Sequence, residues 1–340
     1  MNSIKVLLNG IGRIGKSILR INDISNSFKI VAINELNINL ENIAYGINYD
    51  STYGVLEDKY VVSNDTISNS KNKIKILNYS SLLDIDYKAL DIDIIIDASG
   101  AKVDIESLKR LDIKRVFLTH PNKNADINVI LGVNEKDIKQ TDKIISTSSC
   151  NATALLPFLK IVDENYGIEF GDIVTIHPLL NHQKTLDSSC IGSTNREVDC
   201  SFEFGRSSLQ NIIPSATTTI EACSYVKSSI NSDLISSNSF RVPTATVGAI
   251  NISIVVKKEI TKELLLDILN SYQKEQYFDI VWNNFEPLVS CDFAKQNYTT
   301  IIDHRFTKVI KNKMIKVVLW YDNEYGYASK VVDIVREYSL

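Results

Sequence analysis

The sequence predicts an α/β fold built from two domains that differ in the type of sheet. A chain of 340 residues, 44% hydrophobic and 23% charged, has a globular composition and is longer than most single domains. Before residue 150, short apolar runs alternate with stretches of helical spacing, which is typical of a parallel sheet with crossover helices. After residue 150, longer alternating runs predict an α+β domain with a mixed or antiparallel sheet.

The first domain is predicted over residues 1–149. Its expected strands are short runs rich in Ile, Val and Leu, and one helix is expected between the first two strands. Strands that alternate with helices in this way form a parallel sheet. The predicted strands are Ile4–Leu8, Lys29–Ile33, Ile92–Asp97, Arg115–Thr119 and Lys143–Thr147, and the predicted helix is Lys16–Ile24.

The second domain is predicted over residues 150–325. A helix over Asn151–Asn165 opens this domain, and the segment Leu186–Gly205, rich in Ser, Cys, Asn and Gly, predicts a long loop. The last stretch has helical spacing, and we expect a helix over about residues 326–340 to pack back on the first domain. The predicted strands are Asp172–His177, Ala245–Lys257 and Met314–Tyr321.

Charge and cysteine usage argue against several classes of protein. A formal net charge of −4 disfavours nucleic acid as a partner, and no apolar run approaches the roughly 18 residues of a membrane helix. The N-terminus enters an apolar run directly, which is not the pattern of a signal peptide. Five scattered cysteines leave at least one thiol free, so we expect a cytoplasmic location. The four histidines and the cysteines lack the spacing of metal ligands, so we expect no metal.

A glycine-rich turn follows the first predicted strand and opens the first predicted helix. Residues 9–15 read NGIGRIG, and the G-x-G-x-x-G pattern in this position lets the backbone approach a pyrophosphate at a helix N-terminus. The next strand ends at Glu35, about 20 residues later, where a carboxylate accepts ribose hydroxyls and repels a 2′-phosphate. We therefore predict a Rossmann-type domain that binds NAD rather than NADP. The turn residues expected at the cofactor are Gly10, Ile11, Gly12, Arg13, Ile14 and Gly15.

One cysteine and one histidine are predicted to meet in the second domain. Cys150 stands at the start of a predicted helix, where the helix dipole stabilises a thiolate. The helix carries the chain about 22 Å outward, and the strand that ends at His177 returns it by about 20 Å. A Cys–His pair within hydrogen-bond reach is an activated nucleophile. Spacing alone leaves a second interpretation open, a small buried cysteine and a structural histidine.

Six stretches together resemble the glyceraldehyde-3-phosphate dehydrogenase family over nearly the whole chain. They occur in the order and context of that family and span both predicted domains. NGIGRIG resembles its cofactor fingerprint, ISTSSCNAT its active-site segment, and TIHPLLNHQKTLD the strand that carries its catalytic histidine. The other three stretches are RSSLQNIIPSATTT, FRVPTATVGAI and WYDNEYGY.

The resemblance implies oxidation of a phosphorylated aldose aldehyde through a cysteine thioester. Cys150 thiolate would attack the aldehyde, and His177 would take a proton while hydride passes to NAD. The resemblance also implies that a His177 imidazolium holds Cys150 as a thiolate in the resting enzyme. Inorganic phosphate or water would then release the acyl group. A homotetramer is implied as well.

The resemblance also assigns binding roles. Asn323 would hydrogen-bond the nicotinamide carboxamide, and Arg206 would bind the phosphate of the substrate or inorganic phosphate. The other residues implied at the cofactor are Asn34, Glu35, Ser99, Gly100 and Thr119. The other residues implied at the substrate or at phosphate are Ser149, Asn151, His182 and Thr217.

Several positions depart from the family pattern. The family has Thr-Thr-Asn after its cysteine, whereas this chain has Asn-Ala-Thr over residues 151–153. Leu180 and His182 stand where triose-phosphate enzymes carry threonines that bind the substrate phosphate. The segment Ser188–Gly205 is about eight residues longer than usual. It contains Cys190 and Cys200, which we expect to be ordinary loop thiols.

These departures leave three functions open. Oxidation of glyceraldehyde 3-phosphate is the first candidate, only because this activity is more widespread than the others. Erythrose-4-phosphate oxidation with hydrolytic release stands nearly level, because Asn34-Glu35-Leu36, Thr119-His120-Pro121 and Leu180 are similar to that branch. The third function, from another class, is an NAD-binding relative with weak or no catalysis that serves as a binding or regulatory protein.

Overall fold

The computed structural model describes residues 3–36, 39–190 and 202–339. These residues divide into two compact units. The first unit contains the described residues of Met1–Val129, Glu135–Ser148 and Ala328–Leu340, and the second contains those of Ile130–Asn134 and Ser149–Tyr327. Within the described ranges, no helix has the length and apolar character needed to cross a membrane.

The first unit is built on a sheet of nine strands. Its helices are α1 (Arg13–Ser25), α2 (Leu40–Asn48) and α3 (Ile105–Lys109). A separate pair of short strands, β3 (Tyr49–Asp50) and β4 (Gly54–Val55), follows α2. The strands of the main sheet are β1 (Lys5–Asn9), β2 (Lys29–Asn34), β5 (Val61–Ser63), β6 (Thr66–Ser68), β7 (Lys73–Leu77), β8 (Ile94–Asp97), β9 (Arg115–Leu118), β10 (Ile127–Asn128) and β11 (Ile144–Ser146).

Strand β1 lies in the middle of this sheet because it is apolar on both faces. Val6, Leu7 and Leu8 are fully buried between β2 on one side and β8 on the other. The strand order is β10-β11-β9-β8-β1-β2-β7-β6-β5, and the pairs from β10 to β7 are parallel. The carboxyl ends of β1, β2, β8 and β9 therefore lie along one edge, where ligands bind in sheets of this kind.

The second unit is built on a mixed sheet of eight strands. Seven of them follow the order β13-β14-β12-β15-β19-β17-β16, and β18 pairs with β19. Its helices are α4 (Cys150–Tyr166), α5 (Thr219–Val226) and α6 (Lys262–Glu275). Its strands are β12 (Ile168–His177), β13 (Ile213–Ser215), β14 (Ile235–Arg241), β15 (Gly248–Val256), β16 (Val281–Asn284), β17 (Thr300–Asp303), β18 (Lys308–Ile310) and β19 (Met314–Tyr321).

Helix α4 is buried around most of its circumference. Its residues 151–159 are all buried, which is typical of a helix inside a domain core. Ser149 caps its N-terminus by accepting a hydrogen bond from the backbone of Ala152 at 3.3 Å. The helix therefore begins at Cys150 and holds this residue in a fixed position.

The last helix is α7 (Tyr325–Tyr338). From Ala328 onward it belongs to the first unit. There the guanidinium of Arg115, itself buried, donates a hydrogen bond to the carbonyl of Tyr338.

Every strand and helix predicted from the sequence is present, with ends that differ by up to four residues, the largest difference being the start of β12. The pattern missed the helices α2, α3, α5 and α6, the strands β7 and β14 of five and seven residues, and several strands of two to four residues. A strand this short contains too few residues to show a period of two. Helix α6 buries only Leu265 and Leu269, so its apolar stripe is weak.

The predicted loop Leu186–Gly205 falls partly outside the described residues, which omit 191–201. Its two ends meet, because the backbone of Ser188 donates to the carbonyl of Gly205 at 2.8 Å. Cys190 is disulfide-bonded, so the expectation of an ordinary thiol is wrong for this residue. Cys200 lies outside the described residues.

Candidate active site

The structure brings Cys150 and His177 together in the second unit. Cys150 begins α4, and His177 ends β12, the strand that returns the chain from the far end of that helix. The Sγ atom of Cys150 lies 3.8 Å from Nε2 of His177. His177 is 4% exposed and Cys150 is half-buried, so the sulfur is the more accessible member of the pair.

The backbone fixes the tautomer of His177. Its Nδ1 atom lies 2.9 Å from the carbonyl oxygen of Pro178. A carbonyl oxygen can only accept, so Nδ1 carries the proton and donates this bond. In the neutral ring Nε2 is then an acceptor, and it faces the Cys150 sulfur. This is the arrangement that a general base requires.

An arginine that the sequence analysis did not select stands beside this pair. Strands β12 and β14 are parallel, and their register pairs His177 with Arg241. Two nitrogens of the Arg241 guanidinium region, Nε and Nη1, are buried and have no hydrogen-bond partner in the described structure. A cation with two buried, unused donor atoms is a site for a bidentate anion such as phosphate.

Burial and Arg241 together set the ionisation of the pair. Burial raises the pKa of Cys150 to about 11, although Arg241 and the backbone N–H groups at the start of α4 oppose this rise. Burial, and then the positive charge of Arg241, lower the pKa of His177 to about 3. Both shifts have the same physical cause, because both charged forms lose hydration in this site. The thiolate and imidazolium pair that the resemblance implies stays a prediction.

Asn151 is the centre of a buried hydrogen-bond network next to the thiol. Its Oδ1 atom accepts from the hydroxyl of Tyr321 at 2.6 Å and from the Cys150 thiol at 3.5 Å. Its Nδ2 atom donates to Oγ1 of Thr219 at 3.1 Å, and Thr219 in turn shares a 2.6 Å bond with Thr217. The network fixes the amide of Asn151 and orients the thiol towards it.

Gly248 makes room for the ring of Tyr321. The two residues are register partners at the ends of β15 and β19. A Cβ atom at position 248 would lie 2.5 Å from the Tyr321 hydroxyl and 2.6 Å from its Cζ. Only glycine therefore lets the hydroxyl reach Asn151.

Asn323 is held by the segment that precedes β15. Its Oδ1 atom accepts from the backbone of Val247 at 3.1 Å and from the hydroxyl of Thr246 at 3.3 Å. Val247 has φ of 66°, a conformation that β-branched residues rarely adopt. The surrounding contacts therefore hold a strained backbone that fixes the orientation of the Asn323 amide.

The residues implied at phosphate are already engaged with other protein groups. Arg206 is 63% exposed at its side chain and pairs with Asp187 at 3.0 Å. The backbone N–H of Ser207 donates to the same carboxylate at 2.8 Å, which fixes it beside Arg206. Ser149 serves as the cap of α4. Partial burial, and then the positive charge of Arg241, lower the pKa of His182, whose ring packs against Phe204 at a centroid distance of 6.1 Å.

The glycine turn of the first unit has the shape of a dinucleotide cradle. Gly10 has φ of 90°, and a Cβ atom there would lie 2.7 Å from Cα of Ser99. A Cβ atom at Gly15 would lie 2.2 Å from the carbonyl oxygen of Gly10, so α1 begins in direct contact with the turn. A Cβ atom at Gly12 would meet no atom within 4 Å. The open side of the turn is therefore where a pyrophosphate can approach the backbone.

A cleft of about 280 Å³ adjoins this turn at the carboxyl ends of β1, β2 and β8. Glu35 lies in its wall, and its Oε2 atom accepts from the backbone of Ile11 at 3.1 Å. The residues lining the cleft include the predicted Gly10, Gly12, Asn34, Glu35 and Ser99. The shape and the acidic wall fit the adenosine half of NAD.

Some predicted cofactor residues form hydrogen bonds that join the strand ends around the cleft. The amide of Asn34 donates to Asn9 at 2.8 Å and to the carbonyl of Tyr79 at 3.0 Å, so it joins strand ends. Ser99 donates to Asp97 at 2.7 Å, and Thr119 donates to the carbonyl of Asp97 at 2.9 Å.

Three further predicted cofactor residues belong to the glycine turn and the end of β8. The guanidinium of Arg13 is paired with Asp50. Ile14 lies in the first turn of α1, and Gly100 has φ of 69°.

Three residues of the site, Arg241, Tyr321 and Thr219, were not predicted from the sequence. Arg241 and Tyr321 stood within two of the stretches that carried the resemblance, but neither was assigned a role. Arg241 ends β14, a strand that was not predicted, so the only signal for it was its place within the stretch FRVPTATVGAI. The described residues contain no cluster of His, Cys, Asp and Glu side chains that could hold a metal ion.

Comparison with known proteins identifies the family. A family model described as the glyceraldehyde 3-phosphate dehydrogenase NAD binding domain matches residues 4–105, and one described as its C-terminal domain matches residues 149–323. The chain is 32% identical over 337 residues to glyceraldehyde-3-phosphate dehydrogenase 2 of Bacillus subtilis (98% of this chain and 96% of the relative).

Two other relatives show the same extent of similarity. Glyceraldehyde-3-phosphate dehydrogenase 1 of Kluyveromyces lactis is 32% identical over 336 residues, 98% of this chain and 99% of the relative. The enzyme of Chlamydia trachomatis serovar L2 is 30% identical over 336 residues, 98% of each chain. Both halves of the chain, with the cofactor cradle in one and the Cys150–His177 pair in the other, fall within these matches. The chain therefore belongs to the glyceraldehyde-3-phosphate dehydrogenase family, whose members are NAD-dependent oxidoreductases.

Proposed function

We propose that this chain oxidises glyceraldehyde 3-phosphate with NAD through a thioester on Cys150. The observation that carries the proposal is the Cys150 Sγ to His177 Nε2 distance of 3.8 Å beside the unpartnered donors of Arg241. These groups supply a nucleophile, a base and an anion site in one place. The function follows from their proximity together with membership of the family.

The proposed chemistry starts from the neutral pair. Nε2 of His177 takes the thiol proton as Sγ attacks the aldehyde carbon, and it returns the proton to the new hydroxyl of the thiohemiacetal. His177 then removes that hydroxyl proton as the hydride departs, which leaves a thioester on Cys150. NAD, when bound, accepts the hydride.

Arg241 is proposed to hold the phosphate of the substrate. Its Nε and Nη1 donors are buried and unpartnered, so an anion would gain two charge-assisted hydrogen bonds without displacing a protein group. His182, which the resemblance places at the substrate phosphate, would add a donor to this site. Arg206, which the resemblance assigns to phosphate, is occupied by Asp187.

The cofactor is proposed to lie with its pyrophosphate against the open side of Gly12. The N–H groups of Gly12, Arg13 and Ile14 at the start of α1 would face the anion. Glu35 would accept the adenosine ribose hydroxyls, and Ser99, Gly100 and Thr119 would line the same site. In the second unit, Asn323 would bind the nicotinamide carboxamide.

Erythrose 4-phosphate is the second candidate substrate. Leu180 and His182 stand where threonines bind the phosphate of the triose substrate in related enzymes. A leucine cannot donate a hydrogen bond, whereas the imidazole of His182 reaches further than a threonine hydroxyl. A longer substrate with a more distant phosphate suits this pair of residues.

Three further properties are proposed with the function. The acyl group is released by inorganic phosphate or by water. The active protein is a homotetramer, and exposed apolar residues such as Phe170 on β12 and Ile212 before β13 support association. The location is cytoplasmic: of the described cysteines, Cys150, Cys223 and Cys291 are free thiols, which supports this location, whereas the disulfide at Cys190 is atypical of that compartment.

NADH formation tests the proposal with both aldose phosphates as substrates. We expect turnover with wild-type protein and with Cys291→Ser, which removes an exposed free thiol, and none with Cys150→Ser. Equal losses in both variants would contradict the role of Cys150. Binding of NAD without turnover of either aldose phosphate would favour the third function, a binding or regulatory protein.

A further inference from the structure

We infer that Asn78 sets the preference of this chain for NAD over NADP by fixing the backbone that carries Glu35. Asn78 is a positioning residue in this proposal, because it acts through Glu35 and not on the cofactor itself. The inference rests on the proposed function, in which the Glu35 carboxylate accepts the adenosine ribose hydroxyls. It adds the reason why this carboxylate stays in the wall of the cleft.

The side chain of Asn78 bridges two consecutive carbonyl groups just after β2. Its Nδ2 atom donates to the carbonyl oxygens of Glu35 and Leu36, each at 3.0 Å. A carbonyl oxygen can only accept, so the nitrogen of the amide, and not its oxygen, faces these two groups. The backbone N–H of Glu35 donates to the carbonyl of Leu77 at 3.0 Å. Both peptide groups of Glu35 are therefore bonded to residues 77 and 78.

The segment that carries Asn78 is itself anchored. The buried amide of Asn34 pairs with the backbone of Tyr79 in both directions, since it accepts from the N–H at 2.8 Å and donates to the carbonyl at 3.0 Å. The same amide nitrogen donates to Asn9 at 2.8 Å, and Asn9 donates to the buried carboxylate of Asp97 at 2.8 Å. These bonds join the ends of β8, β1 and β2 to residue 79. The side chain of Asn78 therefore reaches the end of β2 from a fixed backbone.

The Glu35 side chain needs this restraint because it borders two cavities. The cleft described above and a second cavity, also of about 280 Å³, share Gly12 and Glu35 in their walls. The second cavity is lined by Lys16 as well, and its ammonium group lies beside Gly46, where a Cβ atom would be 3.7 Å from Nζ. A carboxylate that turned towards this cation would leave the wall of the cleft. The cleft would then lose the negative charge that repels a 2′-phosphate.

Two contacts oppose this movement from opposite ends of the side chain. The backbone N–H of Ile11 donates to Oε2 of Glu35 at 3.1 Å and restrains the carboxylate. Asn78 restrains the backbone from which the side chain starts. Because Asn78 is exposed, a smaller residue at this position removes its two hydrogen bonds without leaving a cavity in the core.

The test compares the dissociation constants for NAD and NADP, measured by calorimetry without any aldehyde substrate. Constants for NADP that are too high for direct titration are obtained by competition with NAD. We expect Asn78→Ala to reduce the preference for NAD by roughly three- to tenfold, the effect of losing one or two neutral hydrogen bonds. The matched control is Asn231→Ala, which removes an amide bond to the carbonyl of Ser228 at 3.1 Å in the second unit and should leave the preference unchanged.

The ratio of the two constants separates positioning from a general structural role. If Asn78 only supported the fold, Asn78→Ala would weaken NAD and NADP alike, and an unchanged ratio would overturn the inference. A wild-type protein that binds neither cofactor, or binds both equally, would instead contradict the cofactor site of the proposed function.

A double variant tests whether Asn78 acts through Glu35. In a Glu35→Gln background the charge that Asn78 positions is absent, so adding Asn78→Ala should change the ratio by no more than about twofold. The same three- to tenfold change in both backgrounds would show that Asn78 acts independently of the carboxylate, which would overturn the inference.

Discussion

Two alanine substitutions in the same glycine turn should have different effects. Gly15→Ala should lower the stability of the fold, whereas Gly12→Ala should lower the affinity for NAD. A Cβ atom at Gly15 would lie 2.2 Å from the carbonyl oxygen of Gly10, a backbone atom that cannot rotate away. The start of α1 and the turn must separate by about 1 Å to relieve this overlap. Overpacking of this kind costs about 1–3 kcal/mol. For a unit of this size, the loss lowers the melting temperature by roughly 2–12 °C.

Gly12→Ala should leave the fold nearly unchanged. The backbone at Gly12 has φ of −69° and ψ of −159°, which alanine adopts freely, and no atom lies within 4 Å of the added methyl group. Alanine at a helix cap lowers the free energy of unfolding by about 1 kcal/mol or less. This loss is offset because alanine gives the unfolded chain less conformational entropy than glycine does. The methyl group would instead occupy the space where we propose that the pyrophosphate binds. We expect the NAD dissociation constant to rise by a factor of about ten or more, or about 1.4 kcal/mol.

Thermal unfolding with and without NAD measures both effects in one experiment. Gly15→Ala should melt at a lower temperature than wild type without ligand. Without ligand, Gly12→Ala should have the same melting temperature as wild type. With NAD, it should lose most of the stabilisation that the wild type gains. A Gly12→Ala variant that NAD stabilises as strongly as wild type would refute the position of the cradle. A Gly15→Ala variant as stable as wild type would refute the close contact between turn and helix.

Four further predictions follow from the site. His177→Asn should slow the NADH burst by a factor of about 10²–10⁴ in stopped-flow measurements, because no base remains for the thiol and hydroxyl protons; a burst within tenfold of wild type would exclude that role. Alkylation of Cys150 by iodoacetamide should rise roughly tenfold per pH unit through neutral pH, because its pKa is raised to about 11 and the thiolate fraction grows with pH; a plateau below pH 8 would indicate a thiolate and imidazolium pair instead. Arg241→Met should raise the KM for the phosphorylated aldose at least a hundredfold, about 2.7 kcal/mol, and leave that for unphosphorylated glyceraldehyde nearly constant; parallel changes would place Arg241 elsewhere. Glu35→Gln should reduce the preference for NAD over NADP, measured as the ratio of kcat/KM values, by about tenfold or more; an unchanged ratio would show that the carboxylate does not face the ribose.

Local patterns in the sequence were sufficient to predict the elements that position the site. The buried run of β1, the glycine turn and the start of α1 are consecutive in the chain, so their order could be interpreted directly. Cys150 and His177 are separated by one helix and one strand. Their lengths alone predicted that the chain returns to its starting point, and the atoms lie 3.8 Å apart.

The remaining features depend on pairing between distant segments. Arg241 reaches His177 only through the parallel register of β12 and β14, which no periodicity in the sequence specifies. The bond from Tyr321 to Asn151 spans 170 positions of the chain and depends on the missing side chain of Gly248. The pKa shifts of Cys150 and His177 could not be predicted from the sequence either, because they depend on burial and on the charge of Arg241.

The thioester on Cys150 is the central claim, and the mass of the acylated peptide tests it most directly. Wild-type enzyme would be mixed with NAD and glyceraldehyde 3-phosphate, quenched in acid during the burst, digested and analysed by mass spectrometry, with erythrose 4-phosphate in parallel. We expect the peptide that contains Cys150 to carry the mass of the phosphorylated acyl group, and the peptide that contains Cys291 to be unmodified. NADH formation with an unmodified Cys150 peptide at every quench time would contradict covalent catalysis by this residue.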